Sequence, residues 1–90
     1  MENTKELSIG QVVKSKAGRD KNRKFLVLDI IDDNFVLLVD GDLRKYNSPK
    51  MKKVKHIAKV NQFSYDLKAE LDQGRSITDE WIRREIDKLG

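Results

Sequence analysis

Two nearly continuous apolar runs, separated by three polar residues, limit the fold most strongly. Residues 25–31 and 35–39 are rich in aromatic and β-branched side chains, and Asp32-Asp33-Asn34 lies between them. This arrangement predicts a β-hairpin over residues 25–39. A sheet with one face in water alternates apolar and polar residues, and these runs do not. We therefore expect both faces of the hairpin to be covered, one by a barrel interior and the other by a further element.

Weaker strand patterns flank this hairpin. Period-two alternation predicts a first strand near residues 11–16, which places Lys14 and Lys16 on one face. Residues 43–46 are predicted to form a short fourth strand, ended by Asn47-Ser48-Pro49. A basic loop then leads into a fifth strand near 54–57, although the apolar spacing from residue 51 also fits a helix. Five short strands in under sixty residues predict a small barrel.

The last third of the chain has helical periodicity. Apolar residues at 63, 67 and 71 predict a helix over 64–73, with Gly74 as the glycine that follows its C-terminus. Thr78 is the expected N-cap of a second helix over 79–89, and two acidic residues follow it in the first turn. The apolar stripe of that helix comprises Trp81, Ile82, Ile86 and Leu89. We predict that both stripes cover the outer face of the hairpin, with Trp81 in the core.

Composition argues against most kinds of catalytic or metal site. The 90 residues predict one domain, divided into a barrel over 8–60 and a helical extension over 61–90. The chain has no cysteine and one histidine, His56, which we expect to be partly buried in a strand. The acidic turns lack calcium-loop spacing, and no nucleophile or phosphate-loop motif is present. We expect a non-enzyme without cofactor, metal or small-molecule substrate.

No run of residues has the length and apolarity of a signal peptide or a membrane span. The sequence therefore predicts a cytoplasmic protein with no membrane partner.

Charge is strongly segregated along the chain. Residues 14–24 carry six Lys/Arg and one acid, and residues 43–63 carry seven Lys/Arg and no acid. Residues 25–42 carry five Asp and no base, although the net charge of the chain is only +4. Segregation of this kind creates a local positive potential that attracts polyanions. A polyanion is therefore the predicted kind of partner.

The segment 17–24 is predicted to be the centre of this basic surface. Gly18 is expected at positive φ, where the backbone turns tightly and can approach a ligand. Arg19 offers planar donors for phosphate, or alternatively forms a salt bridge to Asp20 or to another aspartate. We expect Asp20 to brace the loop through backbone N–H groups or to orient Arg19. The predicted ligand-contacting residues are Lys14, Lys16, Gly18, Arg19, Lys21, Asn22, Arg23, Lys24, Arg44, Lys45, Tyr46, Lys50, Lys52, Lys53 and Lys55.

Each of these predictions has a purely structural alternative. Gly18 serves equally well as an ordinary turn glycine. The basic residues 21–24 are alternatively a solvated run of charges, and those of residues 44–55 a disordered loop that increases solubility. Tyr46 either stacks on an unpaired base or, as is more usual for such a tyrosine, packs over the barrel end.

The run Gly10-x-Val12-x-x-Ser15-x-Ala17-Gly18-Arg19-Asp20-Lys21-x-x-x-Phe25-x-Val27 resembles the KOW motif. The resemblance is specific over residues 8–31. Residues 40–45 and 50–56 are also similar to small bacterial KOW-domain RNA-binding proteins, which resemble archaeal and eukaryotic large-subunit ribosomal proteins. The resemblance implies an SH3-like β-barrel whose motif loop and flanking strands contact RNA.

The partners implied are structured RNA, above all ribosomal RNA, and ribosomal proteins. Two alternatives stay open: a transcription-elongation type of KOW module that contacts RNA polymerase, and an SH3-like protein-interaction module. Aromatic residues make up only 7% of the chain, which disfavours an aromatic-lined peptide groove.

Overall fold

The computed structural model describes residues 2–90, which form a five-stranded sheet followed by two helices. The strands are β1 (Gln11–Ser15), β2 (Lys24–Ile30), β3 (Phe35–Val39), β4 (Lys50–Lys53) and β5 (Ile57–Phe63). A 3₁₀ turn at Val54–His56 joins β4 to β5, and the helices are α1 (Tyr65–Asp72) and α2 (Asp79–Leu89). All pairings are antiparallel, in the order β4-β3-β2-β1-β5. The predicted fold class is confirmed, and the arrangement is consistent with a small SH3-like barrel.

The β2–β3 hairpin has the two covered faces that its apolar runs predict. Successive side chains of a strand point to opposite faces, so neighbouring residues enter different clusters. Phe25 and Val27 belong to an inner core, whereas Leu26 and Val39 belong to an outer core on the other face of the sheet. Leu26 lies opposite Val39 in the ladder, so the two strands contribute to the outer core in register.

The two helices cover the outer core. Leu67 of α1 and Ile82 of α2 are fully buried against it, and Trp81 packs at its edge, partly buried. Thr78 is the N-cap of α2, as predicted, because its hydroxyl accepts a hydrogen bond from the backbone N–H of Trp81 at 3.1 Å. Neither helix has the length and apolarity needed to span a membrane in the described part of the chain.

The prediction of a strand at 43–46 is wrong. The Asp40 carboxylate accepts hydrogen bonds from the backbone N–H groups of Asp42 and Arg44, at 3.0 and 2.7 Å. The Arg44 carbonyl in turn accepts from the N–H groups of Asp40 and Gly41. These bonds close a tight turn and use the backbone groups that a strand would need for pairing.

The positions of the last two strands also differ from prediction. Residues 50–53, for which the sequence predicts a basic loop, form the fourth strand and pair with β3 through backbone groups. Residues 54–56 form a 3₁₀ turn, so His56 is half-buried in that turn and not in a strand. Because β5 extends to Phe63, that residue lies in the sheet and not in α1.

Candidate nucleic-acid interface

The connection between β1 and β2 is a tight turn closed by backbone hydrogen bonds. The Ser15 N–H donates to the Arg23 carbonyl at 3.0 Å, and the Asn22 N–H donates to the Ser15 carbonyl at 2.8 Å. Gly18 has φ +86°, so the predicted positive φ is confirmed. Asn22 also has a positive φ, a conformation that asparagine tolerates better than most residues. Arg19 and Lys21 lie exposed on this turn.

Asp20 is the internal brace of the turn. Its side chain is only 6% exposed, and its Oδ1 accepts hydrogen bonds from Ser15 Oγ at 2.7 Å and from Lys52 Nζ at 3.1 Å. Burial opposes ionisation, but the hydrogen bond from Ser15 and the ammonium group of Lys52 outweigh it and hold the pKa of Asp20 below its ordinary value of 3.8. Asp20 therefore braces the loop as expected, although mainly through side chains and not through backbone N–H groups.

Lys52 joins the two basic segments of the sequence. Its ammonium group also donates to the Ala17 carbonyl at 3.2 Å, so β4 is attached directly to the β1–β2 turn. The result is a cleft, here called the cationic cleft, between that turn and β4. It is lined by Gly18, Arg19, Asp20, Leu43, Arg44, Lys50 and Lys52. Four cationic side chains face one carboxylate there, and that carboxylate is already paired.

Two guanidinium groups of the cationic cleft have unused donors. The Nε of Arg44 is buried and has no hydrogen-bond partner within residues 2–90. A buried donor without an acceptor costs about 1–3 kcal/mol. Arg19 makes no ion pair with any described residue, so the alternative of an Arg19–Asp20 salt bridge is not realised. Both groups have the planar donor geometry that suits phosphate.

Some predicted contact residues are engaged within the protein. Arg23 pairs with Asp40 and, at 2.7 Å, with Asp42. Hydrogen bonding to Asp40, supplemented by Asp42, raises the pKa of Arg23. The ammonium group of Lys24 donates to Gln62 Oε1 at 3.1 Å and to the terminal-residue carbonyl at 3.3 Å. Arg23 therefore ties the β1–β2 turn to the turn at residues 40–44, and Lys24 ties β2 to β5 and to Gly90.

Other predicted contacts lie outside the cationic cleft. Lys53 points to the other face of β4, where its Nζ is 6.0 Å from the centroid of the Phe35 ring. Tyr46 packs half-buried against the outer core, which favours the packing alternative. Lys14 lies opposite Lys24 in the β1–β2 ladder. The predicted contact residues that lie exposed outside the cleft are Lys16, Lys21, Asn22, Lys45 and Lys55. Lys50, by contrast, lies in the cleft and is half-buried.

Comparison with known proteins supplies the family. No protein-family model matches the chain. The large ribosomal subunit protein eL14 of Staphylothermus marinus is 31% identical over 84 residues, which cover 93% of this chain and 80% of the relative. The chain belongs to the eL14 family. The eL14 protein of Sulfolobus acidocaldarius is 30% identical over 86 residues with the same coverage, and that of Desulfurococcus amylolyticus is 50% identical over 32 residues, 36% of this chain.

The eL14 relatives confirm the predicted similarity to archaeal large-subunit ribosomal proteins. The assignment of residues 8–31 to a KOW motif stays a prediction. Within residues 2–90 of this eL14-family chain, no three His, Asp or Glu side chains are placed together to hold a metal ion.

Sequence reasoning missed Leu43, which lines the cleft although the sequence predicts it in a strand. It included Lys52 but in another role: the sequence predicts a free phosphate ligand, whereas Asp20 and Ala17 fix the ammonium group. Both follow from the pairing of β4 with β3, and no local pattern in the sequence indicates which lysine of four will face a carboxylate 32 residues away.

We expect Asp20→Asn to destabilise the protein by about 2 kcal/mol at pH 6, since it removes charge-assisted hydrogen bonds in a buried site. The folded protein holds a proton on Asp20 less readily than the unfolded chain does. The stabilisation is therefore fully present above the ordinary pKa of 3.8 and is lost as pH falls through the lower folded value. Urea unfolding at pH 6 and at pH 3 measures the difference between variant and wild type, which should shrink at pH 3.

A matched control is Asp72→Asn, which removes an exposed ion pair with Lys68. Its effect should stay below about 0.5 kcal/mol at both pH values. An Asp20→Asn protein as stable as wild type at pH 6 would contradict a stabilising role for the hydrogen bonds that Asp20 accepts.

Proposed function

We propose that the protein is a non-catalytic RNA-binding protein that associates with the ribosomal RNA of the large subunit. The observation that carries the proposal is the cationic cleft, where basic segments separated in the sequence meet around a braced turn. Arg19, Arg44 and Lys50 hold the RNA backbone there, and the exposed lysines nearby extend the contact. Lys52 and Asp20 fix the shape of the cleft.

Recognition of this kind depends on phosphate positions more than on base sequence. Arginine and lysine contacts to phosphate orient the protein on RNA but carry no sequence information themselves. The spacing of phosphates in folded RNA then decides which site fits the cleft. With about six phosphate contacts, the logarithm of the affinity should fall with the logarithm of salt concentration with a slope of about −4.

The eL14 relatives favour ribosomal RNA over the alternatives of a transcription module or a peptide-binding module. Each relative carries the name of a large ribosomal subunit protein. We accordingly propose other ribosomal proteins as neighbours in the assembly. The half-buried position of Tyr46 also leaves little aromatic surface for a peptide groove beside the cationic cleft.

The test is a double substitution, Arg19→Gln with Lys21→Gln, measured against fragments of large-subunit ribosomal RNA. Loss of two phosphate contacts should weaken binding about 10- to 100-fold and reduce the magnitude of the salt slope by about 1.4. The Tm should change little, because both side chains are exposed and neither is ion-paired to a described residue. Fluorescence anisotropy between 50 and 200 mM salt gives the affinity and its slope.

The control is Lys68→Gln with Arg84→Gln, which lowers the net charge equally but removes exposed cations from α1 and α2. It should leave binding within about threefold of wild type. Equal weakening by both pairs would indicate attraction by net charge alone and would contradict the cleft as the binding site. A loss of stability with binding unchanged would assign Arg19 and Lys21 to folding.

A further inference from the structure

The pairing of β5 with β1 is interrupted by a bulge near the end of β5. Gln11 lies opposite Phe63, yet two residues further along β1, Val13 lies opposite Lys59. One residue of β1 therefore spans the same stretch as three residues of β5. Bulges of this kind turn side chains out of the regular ladder and are common beside functional sites.

A buried glutamine is dedicated to this bulge. Gln11 is only 6% exposed, and its Nε2 donates to the Val60 carbonyl at 2.7 Å, to the Gln62 carbonyl at 3.0 Å and to the adjacent Val12 carbonyl at 3.1 Å. Residues 60–62 have no partner position in the β1–β5 ladder, and the buried amide supplies hydrogen bonds to two of their carbonyls. The hydrogen bonds from the buried Gln11 amide therefore hold the bulge in one conformation.

The bulge presents two aromatic rings. The ring centroids of Phe63 and Tyr65 lie 4.8 Å apart with the planes inclined by 53°. Tyr65 is 80% exposed, the largest value among the exposed large apolar side chains of the described residues. It is the first residue of α1, directly after the buried cap Ser64, so the backbone that carries it is fixed. The rings and the bulge together line a shallow pocket.

Polar groups suited to a nucleotide surround these rings. Asn61 is exposed at the top of the bulge, and its amide has the donors and acceptor that pair with base edges. Lys59 lines the same pocket, and its ammonium group makes one hydrogen bond, to the Glu6 carbonyl at 3.3 Å, which leaves donors for phosphate. Asp66, the next residue after Tyr65, is paired with Lys88 at 3.0 Å.

We propose that Phe63, Tyr65 and the 60–62 bulge form a stacking platform for one unpaired RNA base, distinct from the cationic cleft. Aromatic rings stack on bases without regard to their identity, and the Asn61 amide and Lys59 ammonium group hold the edge and the phosphate. The inference rests on the proposed function, since it assigns a second contact to the same RNA. The platform lies at the Gln11 end of β1 and the cleft at the Ser15 end, about 13 Å apart along the strand.

The test compares Tyr65→Ala and Tyr65→Phe on a ribosomal RNA fragment with unpaired bases and on a fully double-stranded RNA of equal length. Tyr65→Ala should weaken binding to the first RNA about 10-fold and leave binding to the duplex unchanged. Tyr65→Phe keeps the ring and should bind like wild type. The salt slope should not change, because no phosphate contact is lost, and the Tm should match that of wild type because the side chain is exposed.

Ultraviolet crosslinking to a 4-thiouridine-substituted fragment provides a second measurement, with adducts expected on Phe63 or Tyr65. Wild-type protein that binds no RNA would overturn both proposals. Binding that depends on Arg19 and Lys21 but is equal for Tyr65→Ala and wild type would overturn the platform alone. The platform is also overturned if Tyr65→Ala loses only the binding of ribosomal proteins, which would make the surface a protein contact.

Discussion

Replacing Gly10 with alanine should destabilise the protein by about 4 kcal/mol, which for a chain of this size corresponds to a fall in Tm of about 20 °C. Gly10 has φ +100°, a conformation that costs a residue with a side chain about 1–2 kcal/mol. The added Cβ would also overlap the carbonyl oxygen of Ser64 and lie 3.3 Å from the carbonyl carbon. Conformational strain and steric overlap therefore act together.

Relaxation around Gly10 is expensive because backbone hydrogen bonds fix it on two sides. Its N–H donates to the Val27 carbonyl at 2.9 Å, and its carbonyl accepts from the Ser64 N–H at 2.8 Å. Moving the chain away from Ser64 separates the start of β1 from the junction between β5 and α1. Those contacts position Leu67 over the outer core, so the strain spreads to the helical cover.

Gly74→Ala is the matched control. Gly74 also has a positive φ, +69°, but a Cβ added there meets no atom within 4 Å. The variant should cost about 1 kcal/mol, which measures the conformational part alone. Urea unfolding followed by Trp81 fluorescence gives both values. If both variants lose the same free energy of unfolding, the overlap of the new Cβ with Ser64 is relieved by a small movement that costs no stability.

The elements predicted well from the sequence are those whose signals are local. The hairpin over 25–39 followed from apolar runs on either side of a polar turn, and α2 followed from the Thr78 cap and an apolar stripe. The positive φ of Gly18 followed from a glycine within a charged connection. In each case the residues that determine the conformation lie within a few positions of one another.

The errors arose where distant residues decide the structure. Residues 50–53 form a strand because β3 offers a free edge, and their alternation of lysine with methionine does not distinguish a strand from a loop. The carbonyls of the 60–62 bulge accept hydrogen bonds from the side chain of Gln11, which lies about fifty positions earlier in the sequence. The division of the basic residues also depends on tertiary contacts. Arg23 and Lys52 form ion pairs with carboxylates, whereas Arg19 makes no ion pair with any of residues 2–90.

Truncation after Ser64 should give a chain that aggregates or fails to fold. Removing α1 and α2 takes away Leu67, Ile77 and Ile82, which bury the outer core formed by Val12, Leu26 and Val39 of the sheet. An exposed apolar face on a sheet with free edges promotes association. A domain of this size also has only about 5–13 kcal/mol of total stability, less than the loss of several buried side chains.

Point substitutions in α2 measure the same contribution in a chain that still folds. Ile82→Ala removes a side chain with 0% exposure and should cost about 3 kcal/mol, whereas Leu89→Ala, at a partly buried position, should cost about 1 kcal/mol. Size-exclusion chromatography and dye binding to exposed apolar surface report on the truncated chain, and urea unfolding reports on the point variants. A truncated chain that stays monomeric and unfolds cooperatively near the wild-type Tm would contradict the covering role of the helices. In that case the two helices would be free to contact a partner, and the apolar residues of β2 would need another source of burial.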